Sequence, residues 1–151
     1  MKDTIICDID GTLADLSHRL HHVQTPGKKK DWDAFFAAAP KDGVHEPVWE
    51  TLRALHSIDG GGYNIIFCSG RPERTRRETS IWISSTCWYK GFELLMRKDG
   101  DRRDDSIVKQ EILDAHIDKE RVLFVLDDRQ RVVDMWRRNG LVCFQVAPGD
   151  F

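Results

Sequence analysis

Thr4-Ile5-Ile6-Cys7-Asp8-Ile9-Asp10-Gly11-Thr12 decides how the rest of the chain is read. Its first four residues are apolar or β-branched with no polar alternation, the pattern of a strand buried on both faces. In an open parallel α/β sheet, ligands sit beyond the carboxyl ends of the strands, which is where Asp8 and Asp10 fall. Side chains two apart on an extended chain share one side, so the two carboxylates can face one bound phosphate. Gly11 lets the chain turn sharply with its backbone near a ligand. Two carboxylates this close repel, and both stay ionised only with a cation between them. An isolated Asp-x-Asp is often no more than a turn; the five-residue form after a buried strand is much more specific.

Downstream, strands and helices alternate. Leu13 to Lys30 has no clear periodicity, and Asp31 is placed to cap a short helix through Trp32, Phe35 and Phe36 that stops at Pro40. Pro47 suits the first turn of a helix carrying Val48, Leu52 and Leu55, ended by Gly60-Gly61-Gly62. A second buried strand, Ile65 to Cys68, runs into Ser69-Gly70-Arg71-Pro72, and Pro72 is read as opening a helix over Glu73 to Tyr89. Phe92 to Met96 is a third strand, Arg97 to Asp105 a charged loop, and a helix starting near Ser106 carries Lys109. Val122 to Leu126 ends in Asp127-Asp128. A helix with Val132, Val133, Met135 and Trp136 follows, capped by Asn139-Gly140, then a fifth strand from Leu141 to Val146. The expected fold class is α/β, three-layer and Rossmann-like, with a central, mainly parallel five-stranded sheet. One domain over 1–151 is expected, with 13–44 as a small cap insertion.

A composition of 40% hydrophobic and 32% charged residues is that of a soluble globular protein, and no stretch approaches the length of a membrane helix, so a cytoplasmic protein is expected. Cys7, Cys68, Cys87 and Cys143 form no Cys-x-x-Cys pair and read as buried free thiols rather than zinc ligands or disulfides. A net charge of −2 makes no general case for nucleic acid. Two local stretches do better. Ser17 to Lys30 holds Arg19, Lys28, Lys29 and Lys30 with no acid, and Arg71 to Glu78 holds four arginines against two glutamates. Both follow strand ends, where positive charge would attract a polyanion. His18, His21 and His22 read as solvated or core histidines, with a metal site as the alternative. Trp82, Trp88, Phe35 and Phe36 read as core packing, with stacking on a base as the alternative.

Asp8/Asp10, Ser69, Lys109 and Asp127/Asp128 together describe a phosphate site with a hard cation. Oxygen-only ligands suit Mg²⁺, Lys109 near a helix start adds a point charge, and Ser69 with the following amides can donate to phosphate oxygens. In this order the residues resemble the four motifs of the haloacid dehalogenase (HAD) superfamily. They resemble still more closely the 3′-phosphatase domain of bacteriophage-type polynucleotide kinase/phosphatase. The likeness extends to Arg19, Ser69-Gly70-Arg71, Asp105, Asp127-Asp128-Arg129, Met135-Trp136-Arg137-Arg138, Gln145-Val146-Ala147 and Gly149-Asp150-Phe151. It covers Thr4 to Phe151. No Gly-x₄-Gly-Lys-[Ser/Thr] phosphate loop is found, so the kinase half of that family is expected to be missing.

The resemblance implies that Asp8 is the nucleophile and Asp10 the general acid and base. It implies Mg²⁺ held by Asp8, the Asp10 backbone carbonyl and an acid of the Asp127-Asp128 pair, with Asp128 the direct ligand and Asp127 orienting Lys109. Thr12, Ser69, Gly70 and Lys109 would bind the phosphoryl group. Arg19, Arg71, Asp105 and Arg129 would contact substrate or order the site, the alternatives being surface charges for Arg71 and Arg129 and a helix cap for Asp105. The substrate expected is a phosphorylated 3′ end of DNA or RNA, with free nucleoside monophosphates as the alternative. A separate kinase or ligase is the partner the resemblance implies. A receiver-like phospho-switch also uses Asp, Lys and Mg²⁺, but there the acidic pair comes first and the phosphoacceptor mid-chain, the reverse of this order. A non-catalytic nucleic-acid-binding remnant is opposed by the intact motif set.

Overall fold

The structure, a computed structural model, describes residues 1–58, 61–87 and 91–149. In chain order the strands are β1 (Thr4–Cys7), β2 (Ala14–Asp15), β3 (Gly43–Val44), β4 (Asn64–Pro72), β5 (Glu93–Arg97), β6 (Val122–Asp127) and β7 (Cys143–Gln145). The helices are α1 (His21–Gln24), α2 (Trp32–Ala37), α3 (Glu46–His56), α4 (Arg76–Thr86), α5 (Asp105–His116) and α6 (Gln130–Arg138). Five strands form one sheet in the order β5-β4-β1-β6-β7, and every neighbouring pair is parallel.

Strand β1 is central, and all four of its residues are buried. Alternation along it sends Ile5 and Cys7 to one face, where Leu52 of α3 and Trp82 and Ile83 of α4 pack. Ile6 goes to the other, against Val108 and Ile112 of α5 and Val133 and Trp136 of α6. Burial on both faces is why Thr4 to Cys7 shows no polar alternation. The chain builds outward from β1 through β4 and β5, then crosses to β6 and β7 on the other side. That reversal opens a crevice at the carboxyl ends of β1 and β6, where Asp8 N–H bonds the Leu126 carbonyl at 2.9 Å.

Residues 13–44 form a small appendage closed by the antiparallel pair β2–β3, with Ala14 opposite Val44 and Asp15 opposite Gly43. Leu16, Val23 and Phe35 bury into the same apolar cluster as Ile5, so this segment packs on the face of the sheet that α3 and α4 cover. Asp31 caps α2 by accepting from Ala34 N–H at 2.9 Å, Pro47 lies in the first turn of α3, and Gly140 follows α6 at φ +79°, all as the sequence indicates.

Several boundaries move. Strand β4 continues through Ser69 to Pro72, because Pro72 still pairs with Arg97 after a register shift. Pro72 therefore ends a strand rather than opening a helix, and Glu73–Thr75 forms a 3₁₀ turn before α4. Arg97 belongs to β5, not to the charged loop. The last strand is only Cys143–Gln145. The expected helix end at Tyr89, Trp88, the glycine stop at Gly60 and the closing Asp150-Phe151 lie outside the described residues.

Candidate active site

Asp8 stands at the end of β1, 5% exposed, and Gly11 turns the chain behind it at φ +88°. Helix α5 delivers Lys109, which is 2% exposed. Its Nζ donates to Asp8 Oδ1 at 2.7 Å and to Asp127 Oδ2 at 2.8 Å. Asp127 is fixed three times more: Trp136 Nε1 donates to Oδ2 at 3.0 Å, and Asp128 N–H and Arg129 N–H donate to Oδ1 at 3.0 and 3.4 Å. Asp128 follows it, also buried.

Asp8, Asp127 and Asp128 can present carboxylate oxygens that all lie within 4.8 Å of one another. Three carboxylates against the one Lys109 ammonium leave two negative charges in a buried space. Burial, reinforced by Asp127 and Asp128 and opposed by Lys109, pushes the Asp8 carboxyl well above its usual range. Burial and Asp127 likewise push Asp128 up to about 6. Lys109 is held charged: burial opposes its ammonium, but Asp127 and Asp8 outweigh it. An all-oxygen donor set with a surplus of two charges fits a hard divalent cation.

Because the folded-state Asp128 binds its proton more tightly than the unfolded residue, the metal-free fold loses stability as pH rises from about 4 to about 6. Saturating Mg²⁺ at pH 7.5, at about 100 times its Kd, should add about 2.7 kcal/mol and raise Tm by roughly 5–10 °C. The shift should shrink below pH 6 and vanish in Asp128→Asn; a melting curve indifferent to Mg²⁺ at pH 7.5 would exclude the triad as a cation site.

Asp10 faces a different set of partners. Its Oδ1 accepts from Arg19 Nη2 at 2.7 Å and from Arg71 Nε and Nη2 at 2.9 and 2.6 Å. Both guanidiniums also bind Asp42, whose side chain is wholly buried: Arg19 at 2.7 and 2.6 Å, Arg71 at 2.9 Å. Two arginines and two aspartates thus form a neutral buried square. Arg19 lies over the Phe35 ring at 4.1 Å, and Trp82 Nε1 holds the Asp42 carbonyl at 2.9 Å. Burial pushes Asp10 up, but Arg71 and Arg19 prevail and hold its carboxyl below the usual range.

Behind the rim, Gly70 and Asp105 touch so closely that a Cβ on Gly70 would sit 2.7 Å from Asp105 Oδ1. Asp105 pairs with Arg97 and, at 2.5 Å, with Arg129 Nη1. Arg97 Nε also donates to the Gly70 carbonyl at 2.9 Å. These residues surround a cavity of about 730 Å³ lined by Asp8, Asp10, Gly70, Asp105, Lys109, Asp127, Asp128 and Arg129. Thr12, Arg19, Ser69 and Arg71 are buried behind its wall.

The sequence matches the family model described as the polynucleotide kinase PNKP phosphatase domain over residues 2–151. The chain belongs to this family. It is a HAD-type phosphatase domain. A chain of the Pnkp1/Rnl/Hen1 RNA repair complex is 36% identical with a TM-score of 0.79, over 98% of this chain and 43% of that one. A protein of Autographa californica nuclear polyhedrosis virus, provisionally named a bifunctional polynucleotide kinase/RNA ligase, is 29% identical over 134 residues, 88% of this chain and 17% of that protein. The phosphatase domain thus spans less than half the length of either. The haloacid dehalogenase-like family protein SP0104 from Streptococcus pneumoniae shares the fold, with a TM-score of 0.65 at 13% identity over 95% of this chain and 84% of that one.

Within the phosphatase domain, four residues that sequence reasoning passed over turn out to hold the site. Asp42 stands between Pro40 and Pro47 in a stretch that carries no motif, yet it anchors both buried arginines. Arg97, read as loop charge, braces Gly70 and Asp105. Trp136 bonds Asp127 from α6, and Gln145 Nε2 holds the Asp128 carbonyl at 2.9 Å. The last two sit in the closing run of the family resemblance, which was their only signal.

Other readings are settled by geometry. Arg71 is 1% exposed, so it is no surface charge. The cap of α5 is Asp104, accepting from Ser106 N–H, which frees Asp105 for its arginines. His18 Nε2 lies 2.8 Å from Asp42 Oδ1, and the His21 and His22 rings pack on each other at 3.9 Å. Among the described residues the aspartate triad is the only cluster of three or more metal-ligating side chains. All four cysteines are buried and free. Among the described residues no helix is long and apolar enough to cross a membrane.

Proposed function

We propose that this domain removes 3′-terminal phosphates from DNA or RNA ends through an aspartyl-phosphate on Asp8. The observation that carries the chemistry is the meeting of Asp8 with Lys109, 101 residues away, beside Asp127 and Asp128 at one cavity. An Asp8 oxygen attacks phosphorus, the bond to the ribose O3′ breaks, and Asp10 gives O3′ a proton. Arg19 and Arg71 disfavour that protonated form, and the substrate's phosphate dianion beside Asp10 favours it, so the proton is taken up with substrate. Asp10 then takes a proton from water, whose oxygen attacks the same phosphorus; the bond to Asp8 breaks and inorganic phosphate leaves. Lys109 balances negative charge on the moving phosphoryl group. Ser69, behind the cavity wall, accepts from Arg71 N–H at 3.2 Å and so holds the Gly70-Arg71 backbone at the site. Mg²⁺, held by Asp8, Asp128 and the Asp10 carbonyl, would neutralise the carboxylates and polarise phosphoryl oxygens. Arg19 and Arg71 act through Asp10 by fixing where its carboxylate points.

An appendage as small as residues 13–44 leaves room for a polymer end. Lys29, Lys30 and Arg102, which have no ion-pair partner among the described residues, line the cavity with charge available to a nucleic acid backbone, whereas Arg74 and Arg103 are paired with Asp33 and Asp101. The names of the longer relatives include a kinase and a ligase. We place this domain beside such activities, in one chain or one complex, where a cleared 3′ hydroxyl would be sealed. The test is phosphate release from a 3′-phosphorylated oligonucleotide, a nucleoside 3′-monophosphate and a nucleoside 5′-monophosphate, each with Mg²⁺ and with EDTA. Preference for the oligonucleotide, lost in EDTA, is expected; preference for the free 5′-nucleotide would replace this reading with a nucleotidase.

Asp10 carries a separate prediction. Asp10→Asn should cost about 10²–10⁴-fold in kcat/KM on a ribose 3′-phosphate, whose leaving oxygen must be protonated. On p-nitrophenyl phosphate, whose leaving group departs without a proton, the loss in kcat/KM should be under tenfold while kcat still falls. Equal losses in kcat/KM on both substrates would take the acid role from Asp10.

A further inference from the structure

We infer that Trp32 and Phe36 form a stacking platform for the base of the nucleotide whose phosphate is removed, an inference that rests on the nucleic-acid-end reading above. Both lie on α2 and line the same cavity as Asp8 and Lys109. Their rings are stacked, with centroids 6.0 Å apart and planes 25° apart. Phe35 backs them edge-on, at 5.5 Å and 85° to Trp32 and at 5.4 Å and 73° to Phe36. Phe35 is itself 1% exposed and seated against Arg19. The core need is therefore met by Phe35, whereas Trp32 remains 39% exposed. A large aromatic left in water at a cavity mouth, on a firm backing, is what a planar ligand requires.

The surroundings select the ligand. Lys30 Nζ lies over the Trp32 ring, 5.4 Å from its centroid, and Lys29 lines the same cavity. A flexible lysine over an exposed aromatic face fits a base followed by its backbone phosphates: the base takes the ring face and the ammonium moves to a phosphate. Of the other aromatic candidates, Trp82 is buried with its N–H on the Asp42 carbonyl, so it packs and does not stack on ligand. The cavity, about 730 Å³, lies within the range that holds a nucleotide. Every base offers a π face, so the platform would demand a base without choosing which one.

Binding is to be measured in the Asp8→Asn protein with Mg²⁺, so that ligand is not consumed. Two 3′-phosphorylated oligonucleotides are compared, identical except that the terminal nucleotide carries a base or is abasic. Adding Trp32→Ala should weaken the base-bearing ligand roughly tenfold, within the 5- to 150-fold that one stacked base is worth. The abasic ligand should change less than twofold, and Trp32→Phe should retain most of the affinity. Equal weakening of both ligands, or of neither, overturns the platform. If the oligonucleotides do not bind at all, the 3′-end reading fails instead, and the same comparison with a nucleoside monophosphate and ribose phosphate decides the platform.

Discussion

Asp8→Asn should abolish phosphate release, with kcat falling by about 10⁴-fold or more, the loss that follows from the covalent role proposed for Asp8. The amide keeps the shape of the carboxylate and can still meet Lys109, whose ammonium retains Asp127. The fold should therefore persist; losing one of three mutually repelling acids favours it in the absence of metal. Parallel measurements of kcat and of thermal unfolding separate the two outcomes. Hydrolysis within tenfold of wild type would remove Asp8 from the chemistry.

Asp42→Ala should be the most damaging change to stability, at about 3–5 kcal/mol. Asp42 takes bonds from both Arg19 and Arg71 with its side chain fully buried, and truncation leaves two guanidiniums against the single Asp10 carboxylate. Neither arginine reaches water, each being 1% exposed or less. At about 2–4 °C per kcal/mol for a chain this size, Tm should drop by roughly 6–20 °C. Activity should fall with it, because Asp10 is aimed by the same two arginines. A drop under about 2 °C would mean that the square carries little of the fold's stability.

The contrast between these residues shows what a sequence discloses. Asp8, Asp10, Lys109, Asp127 and Asp128 were legible because each lies at the end of a buried apolar strand or in the early turns of a helix, and a parallel sheet gathers such positions at one end. The layering was legible in Thr4 to Cys7 for the same reason: burial on both faces erases polar alternation. Asp42 left no such trace. It precedes a two-residue strand that pairs only with β2, and its importance arises from contacts with Arg19 and Arg71, 23 and 29 residues away. Pro72 misled because a proline that can open a helix can equally close a strand; the register shift in β4 chose the second. Trp32 was passed over because exposed and buried aromatics look alike in sequence, and only the seating of Phe35 shows which ring the core does not need.

The most direct measurement is to trap the phosphoryl group on the protein. A 3′-³²P-labelled oligonucleotide is mixed with wild-type protein and with Asp10→Asn in Mg²⁺, quenched in acid during the first turnovers, and digested. Label should appear on the peptide containing Asp8, persist longer in Asp10→Asn, and be absent in Asp8→Asn. Inorganic phosphate accumulating with no label on that peptide at any time would contradict an aspartyl-phosphate at Asp8.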